Sequence, residues 1–260
     1  MHSNAYTFGF AAIICAVCGI VVAGSAVSLK DRQDANVRLD KQKKVLSVAG
    51  LLTDDEDVTP DEVQKRFTGN IQIKVVDLKT GGYATEVDAT TFDQSKASKD
   101  PARSAVAPKN KAKVLRLPNR ATVYHVVKDG ELVMLVLPVE GKGLWSTLYG
   151  YLALEKDGNT IAGLTFYQHG ETPGLGGEVD NEKWKALWKG RKAFKDGKPF
   201  IKVIKGQAGP VAEAPYEVDG LSGATLTARG VTNLIQFWLG GNGFGPYLNK
   251  MKSLAKMKGA

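Results

Sequence analysis

Cysteine is nearly missing from this sequence. Only Cys15 and Cys18 occur among 260 residues, and both lie inside an apolar N-terminal run. The rest of the chain therefore has no disulfide to staple it and no thiolate set for an iron–sulfur cluster. Within the run the two cysteines read as small apolar residues of a lipid-facing helix, despite their CxxC spacing. Histidine is also scarce: His2, His125 and His169 show no clustered spacing, so no metal site is expected. Any redox chemistry must then rest on an organic cofactor. A Walker loop, a dinucleotide fingerprint, a hydrolase nucleophile elbow and internal repeats are missing too. A serine-hydrolase triad would need Ser222 or another serine near His125 or His169, and no spacing supports one.

Acidic residues are the minority, 27 Asp and Glu against 35 Lys and Arg, for a formal net charge of +8 and a pI near 9.3. The basic excess is spread along the chain with acids interleaved. No nucleic-acid motif accompanies it, so nucleic acid is not an expected partner, and anionic lipid or an acidic protein remains.

Charge is absent altogether from residues 6–29, which are mostly Ala, Val, Ile, Gly and Phe. At 1.5 Å per residue, about 20 such residues cross a bilayer core. The run is longer than the apolar core of a signal peptide and no Lys or Arg precedes it, so an uncleaved anchor is expected. The organisation read from the sequence is a short tail at 1–5, a transmembrane helix at 6–29, a helical linker at 30–58 and a folded domain at 59–260. Lys30, Arg32, Arg38, Lys41, Lys43 and Lys44 follow the apolar run, with Asp31, Asp34 and Asp40 among them. The positive-inside tendency would place the domain in the cytoplasm, but it weakens for long translocated domains. The charge pattern leaves the orientation open.

Past the anchor, residues 34–51 favour helix. Thr59 reads as the N-cap of a short helix, with Pro60 at N1 and Glu62 at N3. Residues 71–77 alternate as a strand, and 95–113, rich in Ser, Lys, Ala and Pro, reads as an exposed loop. Asp129-Gly130 between 122–128 and 132–139 predicts a hairpin, and Asp157-Gly158-Asn159 before 161–167 a second one. Residues 181–194 place Trp184, Leu187, Trp188 and Phe194 near helical spacing, with Lys183, Lys185, Lys189, Arg191 and Lys192 on the face read as exposed. Residues 200–205 read as a strand. Hairpins followed by helices predict an α+β domain with a largely antiparallel sheet and flanking helices.

The most informative stretch is Asp219-Gly220-Leu221-Ser222-Gly223-Ala224-Thr225-Leu226-Thr227. Val231, Leu234, Ile235, Trp238 and Leu239 then recur with a helical period until Gly240-Gly241. The small residues 222–225 thus sit at a helix N-terminus, where free N–H groups and the positive end of the dipole favour a phosphate. Arg229, one turn on, is placed to pair with it. A plain Gly-rich turn with a Ser or Thr cap fits the same residues.

Asp219-Gly-Leu-Ser-Gly-Ala-Thr225 resembles the Asp-Gly-x-Ser/Thr-Gly-Ala-Thr motif of covalent FMN-binding domains. His169-Gly-Glu-Thr-Pro-Gly-Leu-Gly176, Lys142-Gly-Leu-Trp145-Ser, Phe237-Trp-Leu-Gly and Gly243-Phe-Gly-Pro246 are similar to segments of the C-subunit family of Na+-translocating NADH:quinone reductases. So is the single N-terminal helix with its charged linker, and the resemblance covers essentially the full chain. It implies FMN joined through its phosphate to Thr225, with Thr227 as the fallback acceptor outside the Ala-Thr pair. Ser222, Gly223 and Ala224 would lie near the phosphate, and Trp145, Glu171, Thr172 and Leu175 would contact the flavin. Asp219 and Gly220 would belong to the attachment motif, with Asp219 either organising the turn or read by a separate flavin transferase.

The resemblance also implies an electron relay with no catalytic residue of its own, one member of a multi-subunit respiratory complex linking NADH, ubiquinone and sodium transport. Electrons would pass between an intramembrane iron centre and a second flavin on a neighbouring subunit. The location implied is the bacterial inner membrane, with the large domain on the periplasmic side. Two other readings stand beside it. One is the homologous flavin subunit of the Rnf ferredoxin:NAD complex, and the other a cofactor-free membrane-anchored assembly module.

Overall fold

A computed structural model describes residues 3–53 and 56–258, with side chains up to residue 253. Helix α1 (Asn4–Val48) begins the chain. The chain divides into two units, residues 1–41 and 42–260. In the first, the apolar side chains are bare on every side, including Phe8, Ile20 and Val27. A helix apolar all round and left uncovered suits lipid and not water. This is the one described helix long and apolar enough to cross a membrane.

The second unit opens with the end of α1, where Val45, Leu46 and Val48 are buried. Helix α2 (Pro60–Asn70) starts as its sequence dictates: Thr59 Oγ1 accepts from the Glu62 amide at 3.3 Å, and Pro60 holds the first position. Strand β1 (Ile71–Asp77) follows. Helix α3 (Gln94–Lys99) and strand β2 (Ser104–Val106) interrupt the stretch 95–113 expected to be a plain loop, and strand β3 (Arg116–Pro118) follows it and pairs with β2. Asp93 caps α3 by accepting from the Lys96 amide at 3.0 Å, a signal hidden by the polar composition around it.

Strands β4 (Arg120–Lys128), β5 (Glu131–Lys142), β6 (Thr147–Glu155) and β7 (Ile161–Gln168) complete an antiparallel five-stranded sheet in the order β1-β4-β5-β6-β7. The β4–β5 turn puts Asp129 at φ +52° and Gly130 at φ +80°, as a two-residue hairpin turn of the expected type requires. Both expected hairpins are present, and the strands of the second are longer than its sequence pattern suggested.

A 3-10 turn (Gly176–Asp180) and helix α4 (Glu182–Ala186) come next, then a tight hairpin of β8 (Phe194–Lys195) and β9 (Lys198–Pro199). Strands β10 (Lys202–Val203) and β11 (Glu217–Val218) pair in parallel. The expected helix over 181–194 is thus cut short, with Gly190 at φ +83° turning the chain away. Two residues of its supposed exposed face are buried. Lys185 pairs with Glu182, and Arg191 donates to the carbonyls of Ala214 at 2.6 Å and Gly209 at 3.0 Å, tying down the loop before β11. The expected strand over 200–205 shrinks to β10, because the β8–β9 hairpin takes the chain up to Pro199.

Helix α5 (Thr225–Leu239) lies on the sheet through Val231, Leu234, Ile235, Trp238 and Leu239, all buried. Trp238 Nε1 donates to the Glu140 carbonyl of β5 at 2.8 Å, which fixes the crossing of helix and strand. Helix α6 (Gly245–Lys258) closes the chain. The α+β class with a largely antiparallel sheet is the architecture observed.

Candidate functional site

The site forms where three segments meet the start of α5: the turn 219–224, the loop 169–176 after β7, and the loop 143–146 between β5 and β6. The turn is held from behind. Asp219 Oδ1 accepts from the Ala208 amide at 2.9 Å, its carbonyl accepts from Trp184 Nε1 at 2.9 Å, and the Gly220 amide donates to the Gly206 carbonyl at 2.8 Å. Asp219 and Gly220 therefore shape the turn, and the Asp219 carboxylate is occupied in doing so.

Gly223 stands at φ +68°, and a Cβ there would come within 2.8 Å of Leu175 Cδ2. Only glycine allows both the backbone angle and this closeness. The contact brings Leu175 onto the turn.

Helix α5 then begins without a side-chain cap. Its N-cap is Ala224, and the amides of Thr225, Leu226 and Thr227 have no acceptor among the described residues. The Ser or Thr cap that the sequence also allowed is not formed. Three unsatisfied N–H groups at the positive end of a 15-residue helix make a cradle for an anion. Ser222, Gly223 and Thr225 are exposed at its rim, Ala224 is buried beneath it, and Arg229 is exposed one turn along. A groove of roughly 770 Å³ runs alongside, lined by Lys205, Gly220, Ser222, Thr225, Arg229 and Thr232.

The two threonines differ sharply. Thr225 presents its side chain to solvent, whereas Thr227 is 1% exposed and its hydroxyl donates to Glu171 Oε2 at 2.5 Å. Glu171 is 5% exposed and fully engaged. Its carboxylate also accepts from the amides of Leu144 at 3.1 Å, Trp145 at 3.0 Å and Ser146 at 3.0 Å, and from the Ser146 hydroxyl at 3.3 Å. Burial alone would raise its pKa. The Thr227 hydroxyl and the three amides outweigh burial and hold the carboxyl below its ordinary value. Glu171 thus joins the two loops to α5 as an anion. Gly176 lets the segments close on it, since a Cβ there would lie 2.6 Å from Thr227 Oγ1.

The other expected residues surround this knot. The Trp145 ring is 67% exposed, and its carbonyl accepts from Lys142 Nζ at 2.8 Å. Leu175 is partly bare, and Thr172 is exposed, with its carbonyl accepting from the amides of Gly177 at 2.9 Å and Leu175 at 3.1 Å. His169 Nδ1 accepts from the Glu171 amide at 3.2 Å, which leaves its Nε2–H to donate to Asp180 at 2.7 Å and fixes the tautomer. Ser146 is a member the sequence did not single out: its hydroxyl accepts from the Gly170 amide at 2.7 Å. The Thr227 link was visible in principle, because a threonine on the buried stripe with Val231, Leu234 and Trp238 needs a polar partner.

An FMN monophosphate suits this arrangement: open amides to hold it, a reachable hydroxyl beside them, a basic groove, and an exposed indole and leucine for a flat ring. The family model of the FMN-binding domain matches residues 143–240, which span all three segments of the site. The C-subunit of the Na+-translocating NADH-quinone reductase of Pseudomonas aeruginosa is 48% identical over 96% of this chain and 97% of its own length. Its counterpart from Vibrio anguillarum is 47% identical over 91% and 90%. A crystal structure of Shewanella oneidensis NqrC matches with a TM-score of 0.77 at 37% identity, covering 84% of this chain and 99% of that one. The chain belongs to the NqrC family, the C-subunits of the Na+-translocating NADH-quinone reductases.

Proposed function

We propose that this chain relays electrons within its complex through FMN bound as a phosphoester on Thr225, with the folded domain on the periplasmic side of the inner membrane. The observation that carries the reading is the contrast between two threonines two residues apart. Thr225 offers an exposed hydroxyl beside three open amides, while the hydroxyl of Thr227, the fallback acceptor, is buried and bonded to Glu171. FMN, when bound, supplies a ring that accepts and passes on electrons. The chain's own part is to hold and orient it. The amides at the start of α5 and Arg229 neutralise phosphate charge, Ser222, Gly223 and Ala224 line its seat, and Trp145, Leu175 and Thr172 border the ring. Glu171 acts indirectly, by fixing the Trp145 backbone and the start of α5.

Attachment by a flavin transferase requires Thr225 to be reachable from outside the fold, and its exposure supports this. In the same reading residues 6–29 cross the membrane, 30–58 link and 59–260 form the cofactor domain. Sodium movement belongs to partner subunits, because a single helix with no acid inside its apolar run offers no ion path.

The test is to co-express the full chain with a flavin transferase, denature it, and look for flavin fluorescence on a gel beside Thr225→Ala. A fluorescent wild type and a dark variant are expected. A dark wild-type band, with a known acceptor protein fluorescing as control, would overturn the covalent reading and favour a cofactor-free module.

A further inference from the structure

Residues 101–128 carry seven basic residues and not one Asp or Glu, a bias that holding a flavin does not require. The arginines there are largely occupied: Arg103 pairs with Asp100 at 2.8 Å, Arg120 pairs with Glu86, and Arg116 donates to Ser104. Lys109, Lys111 and Lys113 are different. All three are exposed, and none forms an ion pair among the described residues.

Their loop is built to a fixed shape. Asn110 Oδ1 accepts from the Val114 amide at 3.1 Å, and its Nδ2 donates to the carbonyls of Pro108 at 2.8 Å and Val114 at 2.9 Å. Ala112 is fully buried, and Lys113 is held at φ +57°, where side-chain-bearing residues are strained. At the loop end of the ribbon formed by β2 and β3, Val106 and Leu115 stand 75% and 80% exposed, and the Ala107 amide donates to the Leu115 carbonyl. The result is a loop of fixed backbone shape that carries three exposed lysines and is flanked by two bare aliphatic side chains.

This surface adjoins the flavin site. The Lys142 amide donates to the Ala112 carbonyl at 2.8 Å, and Lys142 leads directly into the 143–146 loop gathered by Glu171. On the other side, Asn233 Nδ2 donates to the Lys111 carbonyl at 3.4 Å, one turn of α5 beyond Arg229.

We infer that Lys109, Lys111 and Lys113, with Val106 and Leu115, form the docking surface for an acidic patch on the partner protein that exchanges electrons with this site. The inference rests on the reading of Thr225 as the flavin carrier and adds the partner's chemistry to it. Complementary charge sets orientation and register, while the small apolar pair contributes desolvated contact. A lipid headgroup layer has no need of lysines on a loop of fixed shape. A protein surface with carboxylates at fixed positions does, and closeness to the cofactor is what an electron-transfer partner requires.

The test is a triple substitution, Lys109→Glu with Lys111→Glu and Lys113→Glu, in the full chain expressed with its companion subunits and flavin transferase. Gel fluorescence of the denatured chain reads folding and flavin loading, and co-purification of the companions in detergent reads docking. Normal fluorescence with co-purification reduced about tenfold at low salt is expected, together with slower flavin reduction in the complex that does form. The matching Lys→Arg triple should restore both. Co-purification and reduction equal to wild type, with fluorescence intact, would overturn the inference. So would a defect confined to nanodiscs of anionic lipid and absent in detergent, which would assign the lysines to the membrane surface. A dark wild-type band would instead sink the flavin reading itself.

Discussion

Thr227 donates its hydroxyl to Glu171 at 2.5 Å, across 56 residues of sequence, and so locks the first turn of α5 to the loop that follows β7. Glu171 in turn gathers the amides of residues 144–146, so one buried carboxylate ties both site loops to the start of α5. Replacing Thr227 with Val keeps the volume and removes one donor to a buried anion. That should cost about 1–3 kcal/mol of stability. Glu171→Gln should cost more, because its amide nitrogen would face N–H donors in place of an acceptor. Denaturant unfolding of the full chain in detergent checks both. A loss under 0.5 kcal/mol for Glu171→Gln, on the order of an ordinary surface change, would show that the loops are held by other contacts.

Thr225→Ala should remove covalent flavin without weakening the fold. Ala224, not Thr225, is the N-cap, and the Thr225 side chain makes no hydrogen bond among the described residues. Stability should change by less than about 0.5 kcal/mol. Flavin still attached to the denatured variant would mean another acceptor, and Thr227 would first have to leave Glu171.

The sequence made the N-terminal helix, the sheet hairpins and the start of α5 legible, because each is written locally. Charge is absent from 6–29, Asp129-Gly130 marks a turn, and a helical apolar period begins after Thr225. The site loops were legible only by resemblance, since nothing local links Glu171 to residues 144–146 or to Thr227. Helical spacing puts Lys185 and Arg191 on an exposed face for a related reason. Their burial depends on Glu182 and on the carbonyls of Gly209 and Ala214, and those carbonyls come from a loop with no periodic signal. Helix α3 is not legible in the sequence because six residues carry too little pattern to stand out from a polar stretch.

Trp145→Ala separates support from cofactor contact. The ring is mostly exposed, so its removal should leave the unfolding midpoint and flavin loading unchanged. The bound flavin's absorbance or reduction potential should shift, since a flat exposed indole beside the site would stack on it. A large loss of stability with an unchanged spectrum would make Trp145 part of the scaffold.

His125 gives the fold a pH dependence that does not involve the flavin. It is buried on β4, with Nε2 2.7 Å from the Tyr247 hydroxyl, and burial, aided by the Lys74 charge, lowers its pKa to about 4. The unfolded chain takes up a proton on this histidine as pH falls through about 6.5, and the folded chain does so only near 4. Between those values the unfolded state binds more protons, so stability is full above about pH 6.5 and declines as pH falls toward 4. The whole gap corresponds to up to about 3 kcal/mol, with roughly half of it lost by pH 5. Asp157 and Glu171, whose pKa values are lowered, add their own losses only at lower pH. Burial raises the pKa of Glu140, whose protonation in the folded chain favours folding as pH falls, so the histidine is read from the difference between variant and wild type. His125→Gln, which keeps a polar partner for Tyr247, should flatten the stability profile across that window. Urea unfolding at pH 7 and pH 5 measures the difference. An equally steep decline in the variant would mean that another group titrates there and that His125 takes up its proton alike in the folded and unfolded chain.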